Sequence, residues 1–538
     1  MNFKSTLRAD TMGKATVIIA VFSVLAKISG LARDAIFSHN FGTGVIVDAY
    51  FAAFRIPDFV FNLLILGTFS VAFIPVFSEY LLKDKKKAFD LASSILNVTL
   101  LGIVALSILA LIFVDPLISL IAPGFKGEAY DLTRKFTQIL LLSPILLSLS
   151  SVTSSILNTY KKFTLVSLAP VIYNLSIIFG VVVLYPIMGP IGLPLGVVIG
   201  SFLHFAVQLP QIFALGYRFR PIINSKEPGF IKFWKLYWPR IFSMGVGQIT
   251  ALVASIFGSF LGSGALSTFY YANNLQSVFL GVFAVSAALA VFPTLSDLYN
   301  EKNEQGFKDV LAKTTIQILY FIIPLSVLML IMRAQIVRLV LGIGQNTSFT
   351  FADTRIVSLT LGLFVVSLFA QALAPLFTRA FYARHDTMIP VVIGFATIGV
   401  NVFITYYMAR KYGIPGMALA FSLTSIFQLI LLTAELYHKI GHFHDEYIIV
   451  SSLKIVIASL VSGLLSYVSL YIVAPWVNMH TYFGILIQAT AAAIVGGVVY
   501  LLVTLALGMS ETKNIVSLLK NVLNKLNRPF AAIWNMME

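Results

Sequence analysis

Again and again along this chain an apolar run of about twenty residues ends in a short polar break, and that pattern leaves little choice of fold. In lipid, backbone amides and carbonyls must be satisfied within the protein, so a spanning run of this length is an α-helix. Runs over 13–38, 47–78, 91–114, 132–157, 164–184, 191–216, 238–261, 268–297, 312–332, 355–379, 387–408, 415–435, 449–473 and 481–508 predict fourteen transmembrane helices. Composition agrees: 58% of the 538 residues are hydrophobic and 11% charged, too little polar surface for a chain this long in water. The fold class is therefore an all-α polytopic membrane protein. Its first run follows the polar MNFKSTLRADTMGKA and reads as a start-transfer helix that is kept.

An even number of crossings puts both termini on one side. Most of the 37 Lys and Arg fall in the N-terminal segment, the loops after even-numbered helices and the C-terminal tail, among them DKKK at 84–87 and the basic stretch 217–240. Positive-inside then places both termini in the cytoplasm, with Arg410 and Lys411 as outer-side exceptions. The formal charge of +15 is thus topological and does not call for nucleic acid. The absence of cysteine removes disulfides, thiolate metal sites and cysteine nucleophiles. No Walker A, HExxH, GxSxG or DxD pattern is found, and the loops are short, so no enzyme activity, metal centre or cofactor is expected. The tail at 511–538 has lysines on one helical face and Leu, Val and Ile on the other, an amphipathic helix for the inner leaflet.

A duplication lies under the pattern. Gly42, Gly44, Tyr50 and Ala52 recur 220 positions on as Gly262, Gly264, Tyr270 and Ala272; Pro75 recurs as Pro293 and Pro170 as Pro390. A six-helix unit repeated in parallel divides the chain into an N-terminal lobe, 1–216, a cytoplasmic and partly interfacial linker, 217–237, and a C-terminal lobe, 238–438. Helices thirteen and fourteen, 449–508, and the tail follow. Two such lobes suit alternating access around a central cavity.

Charge inside the first two spans is the anomaly. A charged side chain at a helix centre costs about 2.5–3.5 kcal/mol on insertion scales. Lys27, Arg33, Asp34, Asp48, Arg55 and Asp58 all lie there, and their spacings of three and seven gather them on shared helical faces. Pro57 and Gly67 interrupt the second helix, as tolerated where it lines a cavity. Two readings stand. The pairs either lock two helices together, or their cations face a wet cavity and hold an anionic substrate, phosphate oxygens above all. The repeat favours the second, since positions 220 beyond Lys27, Arg33 and Arg55 are Gly247, Val253 and Leu275. Asn273 and Asn274, in the matching helix of the second half, are neutral donors for sugar or phosphate, or else bridges between helices. Asn174 reads as helix-to-helix glue.

These residues resemble a known family. GLARDAI, GTGVIVDAYFAAFRIPD and LGTFSVAFIPVFSEY, with the later IAPGF, ILNTYKKF, LAPVIYN, FYYANN and FYARHDTMIP, are similar to the MurJ/MviN-type lipid II flippases of the multidrug/oligosaccharidyl-lipid/polysaccharide (MOP) exporter superfamily. The resemblance implies two six-helix lobes around a V-shaped cavity, with a groove at helices thirteen and fourteen for a prenyl tail. It implies a non-enzymatic flippase in the bacterial cell (inner) membrane that carries lipid II, undecaprenyl-diphosphate-linked muropeptide, for peptidoglycan synthesis, cell wall biogenesis and cell shape. Membrane lipids and cell-wall synthesis proteins are the implied partners, and membrane-potential or cation coupling the implied drive. Arg33 and Asp48 stand at the family's cavity arginine and aspartate, Lys27 where members have arginine, and Arg55 at a basic position. Phe61, Leu66 and Asn274 stand where members carry charge. The alternatives are a polysaccharide-repeat flippase or cation-coupled multidrug exporter of that superfamily, and, from another class, a membrane scaffold for envelope enzymes.

Overall fold

The computed structural model describes residues 12–64, 69–344, 347–513 and 517, and among them every regular element is a helix. Helix α1 (Met12–Phe41) is followed by α2 (Val45–Ala53), α3 (Arg55–Leu64) and α4 (Phe69–Lys83), then by α5 (Lys85–Ile112). The second expected span is thus several pieces. The break between α2 and α3 has a plain cause: Pro57 lacks an amide, and its ring meets the carbonyl four residues back, at Ala53, where α2 stops. Gly67, the other expected break, lies outside the described residues, as does Leu66. So does most of the expected amphipathic tail.

Eight helices among the described residues are long and apolar enough to cross a membrane, and nine if the bent pair Phe351–Val365 and Leu368–Ala383 forms one span. Two of the eight, Thr164–Ala214 and Met388–Ile440, have 51 and 53 residues. At 1.5 Å per residue each would be roughly 75–80 Å long if straight, more than twice the hydrocarbon core. Both fold back instead. The first turns at Gly189 (φ 65°), and its two arms lie so close that a Cβ on Gly196 would sit 2.6 Å from the Gly180 Cα. The second breaks at Gly413 (φ 63°, ψ −139°). The expected linker 217–237 is irregular as far as Glu227 and then enters the helix Pro228–Ser259.

The chain forms two compact units. The first comprises Met1–Ala272, Val340–Val357 and Ile398–Ala420. One of its cores stacks Phe69, Phe73 and Phe77 of α4 at 5.3 and 5.1 Å between ring centres, with Phe233 and Tyr237 of Pro228–Ser259 against them. A second core joins Phe37, Tyr50 and Ala53 to Phe136, Leu140, Ile177 and Val197. The other unit comprises Asn273–Leu339, Ser358–Thr397 and Phe421–Glu538. In it the helices Asp445–Val473 and Tyr482–Ala506 meet through small residues: Ser462 donates to the Gly496 carbonyl at 2.7 Å and Ser466 to that of Ala492 at 2.9 Å. Such close backbone approach is how helices associate in lipid, where apolar burial gives no drive.

Candidate functional site

The turn at Gly42 (φ 57°) sends the chain from α1 into α2, so Arg33, late in the first, stands level with residues early in the second. Arg33 is held on three sides. Its Nε and Nη2 donate to Asp34 Oδ1 at 3.0 and 2.8 Å, and Nη1 donates to Asn174 Oδ1 at 3.2 Å. Asn174 in turn donates to the Ala26 carbonyl (3.2 Å) and Ser29 Oγ (3.1 Å), tying Thr164–Phe179 to α1. Asp34 is buried while Arg33 keeps a quarter of its side chain exposed (25%). The link between helices here runs through Asn174, since Arg33 and Asp34 are neighbours on α1.

Arg55 is held more loosely. Its Nε donates to the Phe51 carbonyl at 3.2 Å, and its Nη2 stands 3.7 Å from Asp58, too far for a strong hydrogen bond. Its guanidinium lies 4.9 Å above the Tyr270 ring, a cation–π contact, and that ring packs on Phe51. Asp58 is 41% exposed at its side chain. Lys27 is exposed and, among the described residues, has neither an ion pair nor a hydrogen bond. Six residues separate it from Arg33, a rise of about 9 Å along α1.

Asp48 departs from expectation. It holds no cation among the described residues; its buried carboxylate accepts the backbone amides of Gly264 (2.6 Å) and Ser267 (2.7 Å) at the start of the helix Ala265–Phe279. An anion there satisfies amides that the helix itself cannot, and meets the positive end of its dipole. Asp48 is an anchor.

Asn273 and Asn274 lie on the same helix. Asn273 accepts from Gln276 Nε2 at 3.1 Å, and Gln276 exchanges amide hydrogen bonds with Gln371 at 3.2 Å, which is bridging between helices. Asn274 is half-buried beside it. Phe61 packs against the aromatic core.

Sequence reasoning missed the tyrosines. Tyr50 and Tyr173 lie within electrostatic reach of both Arg33 and Asp58, and Tyr270 within reach of Arg55 and Asp58. A signal was present: Tyr50 and Tyr270 are the same position of the repeat, and both border the charges. Among the described residues Lys27 has no ion pair and Arg55 only a long one, whereas Arg33 is fully engaged by Asp34 and Asn174. The arrangement offers no nucleophile paired with a base.

An all-helical membrane body of this kind has solved counterparts. An inward-facing multidrug resistance MATE family transporter of the MOP superfamily matches with a TM-score of 0.64, covering 79% of this chain and 98% of that one at 14% identity. The two share a fold. A lipid II flippase MurJ in an inward closed conformation matches with a TM-score of 0.77 and 28% identity, over 92% of this chain and 100% of that one. A protein of Buchnera aphidicola subsp. Acyrthosiphon pisum named probable lipid II flippase MurJ is 28% identical over 503 residues, 92% of this chain and 97% of its own length. The family model described as lipid II flippase MurJ matches residues 37–487, and the chain belongs to that family.

Proposed function

We propose that this chain carries lipid II across the cell membrane, its diphosphate bound by Lys27 and Arg55 while Arg33 shapes the site from behind. Lys27 is the observation that carries this reading: an exposed ammonium on α1, with no counter-charge among the described residues. A diphosphate offers the oxygens that Lys27 lacks, and Arg55 turns toward it by leaving a 3.7 Å pairing with exposed Asp58. Family membership supports lipid II as the cargo. No bond is made or broken; the work is a change of access, so the chain is a transporter and not an enzyme.

The finer points rest on the same reading. Fourteen crossings with both termini in the cytoplasm follow from the apolar runs and the positive-inside bias. The headgroup enters from the inside, the prenyl tail stays in lipid, and the membrane potential biases the return, at about 2.3 kcal/mol per charge per 100 mV. Collapsing the potential in intact cells slows transport; an unchanged rate rejects that coupling.

Complementation is the direct test. The wild-type chain restores growth and shape to a bacterium depleted of its flippase, and Lys27→Ala at equal abundance does not. Failure of an abundant, membrane-inserted wild type, or full rescue by Lys27→Ala together with Arg55→Ala, overturns the proposal. Because Arg33 is spent on Asp34 and Asn174, it also fits the helix-locking reading; loss of membrane abundance in Arg33→Ala, with transport per molecule retained, assigns it there.

A further inference from the structure

A second cationic site lies in the first unit, away from the charges described above. A hollow of about 330 Å³ is lined by Lys85, Lys86, Phe89, Asp90, Gly216, Arg218 and Arg220. Its walls are fixed. Asn97 of α5 donates to the carbonyls of Arg220 and Ile222, both at 2.8 Å, and Ser93 bonds the Tyr217 hydroxyl at 3.1 Å, holding the irregular segment after Gly216 along the helix.

The charges in this hollow are not balanced. Arg220 pairs with Asp90 at 2.8 Å. Among the described residues, Lys85, Lys86 and Arg218 have no carboxylate partner. The lysines also stand where the dipole disfavours them, in the first turn of α5, which holds no acid and is capped only by Asp84 just before it. An anion in the hollow relieves both repulsions.

The surroundings say which anion. Leu82, Phe213 and Phe219, each within three residues of a lining position, are 90%, 59% and 53% exposed. α5 passes from its first turn into one of the most apolar spans of the chain. Cations at the mouth of a span, rimmed by bare apolar side chains, match a phosphodiester above and acyl chains below. A soluble phosphate leaves the apolar rim without a use.

We propose that this hollow binds the head group of an anionic glycerophospholipid, in the cytoplasmic leaflet on the orientation given above. Lys85, Lys86 and Arg218 contact the phosphodiester, Phe89 floors the site beneath Lys85 at 5.6 Å, and the rim side chains lie along the acyl chains. The site is a lateral anchor for the first unit and is separate from cargo binding.

Native mass spectrometry of the full-length chain in detergent, titrated with phosphatidylglycerol or with phosphatidylcholine of equal chain length, tests the assignment. Wild type is expected to prefer phosphatidylglycerol by roughly tenfold or more. The triple variant Lys85→Gln, Lys86→Gln, Arg218→Gln is expected to bring the two lipids within about twofold, while Lys302→Gln with Lys308→Gln keeps the preference. If the triple variant melts early, Arg218→Gln alone is expected to lose severalfold. An unchanged preference in these variants overturns the site and leaves the cations as topology signals only. Displacement by millimolar inorganic phosphate overturns the lipid assignment in favour of a soluble anion. Neither result touches the flippase reading, whose readout is transport.

Discussion

Asp48 Oδ1 accepts the Ser267 amide at 2.7 Å, joining residues 219 positions apart. A carboxylate in α2 thereby caps a helix of the second sequence repeat, with its other oxygen on the Gly264 amide. The residue is 1% exposed, so no water replaces it.

Removing that acceptor strands two buried donors. Asp48→Ala is expected to cost about 1–3 kcal/mol for each donor left unsatisfied. Asp48→Asn keeps one acceptor oxygen and loses roughly half as much. Thermal melting of the purified protein in detergent orders them wild type, Asn, Ala; three equal melting points would deny the cap.

Arg33 and Asp34 form a pair in which the acid is buried and the guanidinium a quarter exposed, extended by Asn174, so removing Arg33 strands a buried carboxylate. Arg33→Ala, which strands the buried acid, is expected to cost about 3 kcal/mol, Asp34→Ala less because water reaches the guanidinium, and the double variant less than their sum. Arg33→Lys keeps the charge but gives up the fork that reaches Asp34 and Asn174 together, and melts between wild type and Arg33→Ala. A double-mutant cycle measures the coupling, and strictly additive losses reject the pair.

These residues show what the sequence could and could not say. The i, i+3 spacing of Arg55 and Asp58 pairs them at 3.7 Å, because a helix fixes that relation locally, while Lys27 touches none of the other charges among the described residues. Pro57 announced the break after Ala53 for the same reason. The partners of Asp48 were not legible, because they are backbone amides far along the chain, and amides carry no sequence signature. The compact units were equally hidden: the first draws in 340–357 and 398–420, where Thr43 bonds Asp353 and the Ser348 amide donates to the His39 carbonyl at 2.8 Å. Loop contacts of that kind follow from tertiary packing, not from hydropathy.

The hairpin within Thr164–Ala214 depends on two glycines. A side chain at Gly196 meets the backbone of Gly180 at 2.6 Å, well inside van der Waals contact. Gly196→Val must push the arms apart and is expected to cost about 1–3 kcal/mol or more. Because Asn174 sits on one of these arms, its bond to Arg33 is strained as well, and transport per folded molecule falls with stability. Melting and transport of Gly196→Val, read beside Gly196→Ala as the milder step, check both; wild-type behaviour of the valine variant would contradict the close approach.

The last prediction separates Arg55 from its neighbours. Its pairing with Asp58 is long and the acid is exposed, so the pair is worth about 0.2–1 kcal/mol. If a diphosphate competes with Asp58 for the guanidinium, Asp58→Asn removes the competitor and tightens binding of a short-chain prenyl diphosphate by up to about fivefold. Tyr270 acts in the opposite sense. Its ring holds the guanidinium in place, and Tyr270→Ala is expected to weaken binding by roughly two- to thirtyfold, while Tyr270→Phe, which keeps a ring, stays within about twofold. Calorimetric titration in detergent reads all three variants. Unchanged affinity in Asp58→Asn together with unchanged affinity in Tyr270→Ala would remove Arg55 from the binding site and leave Lys27 to carry it.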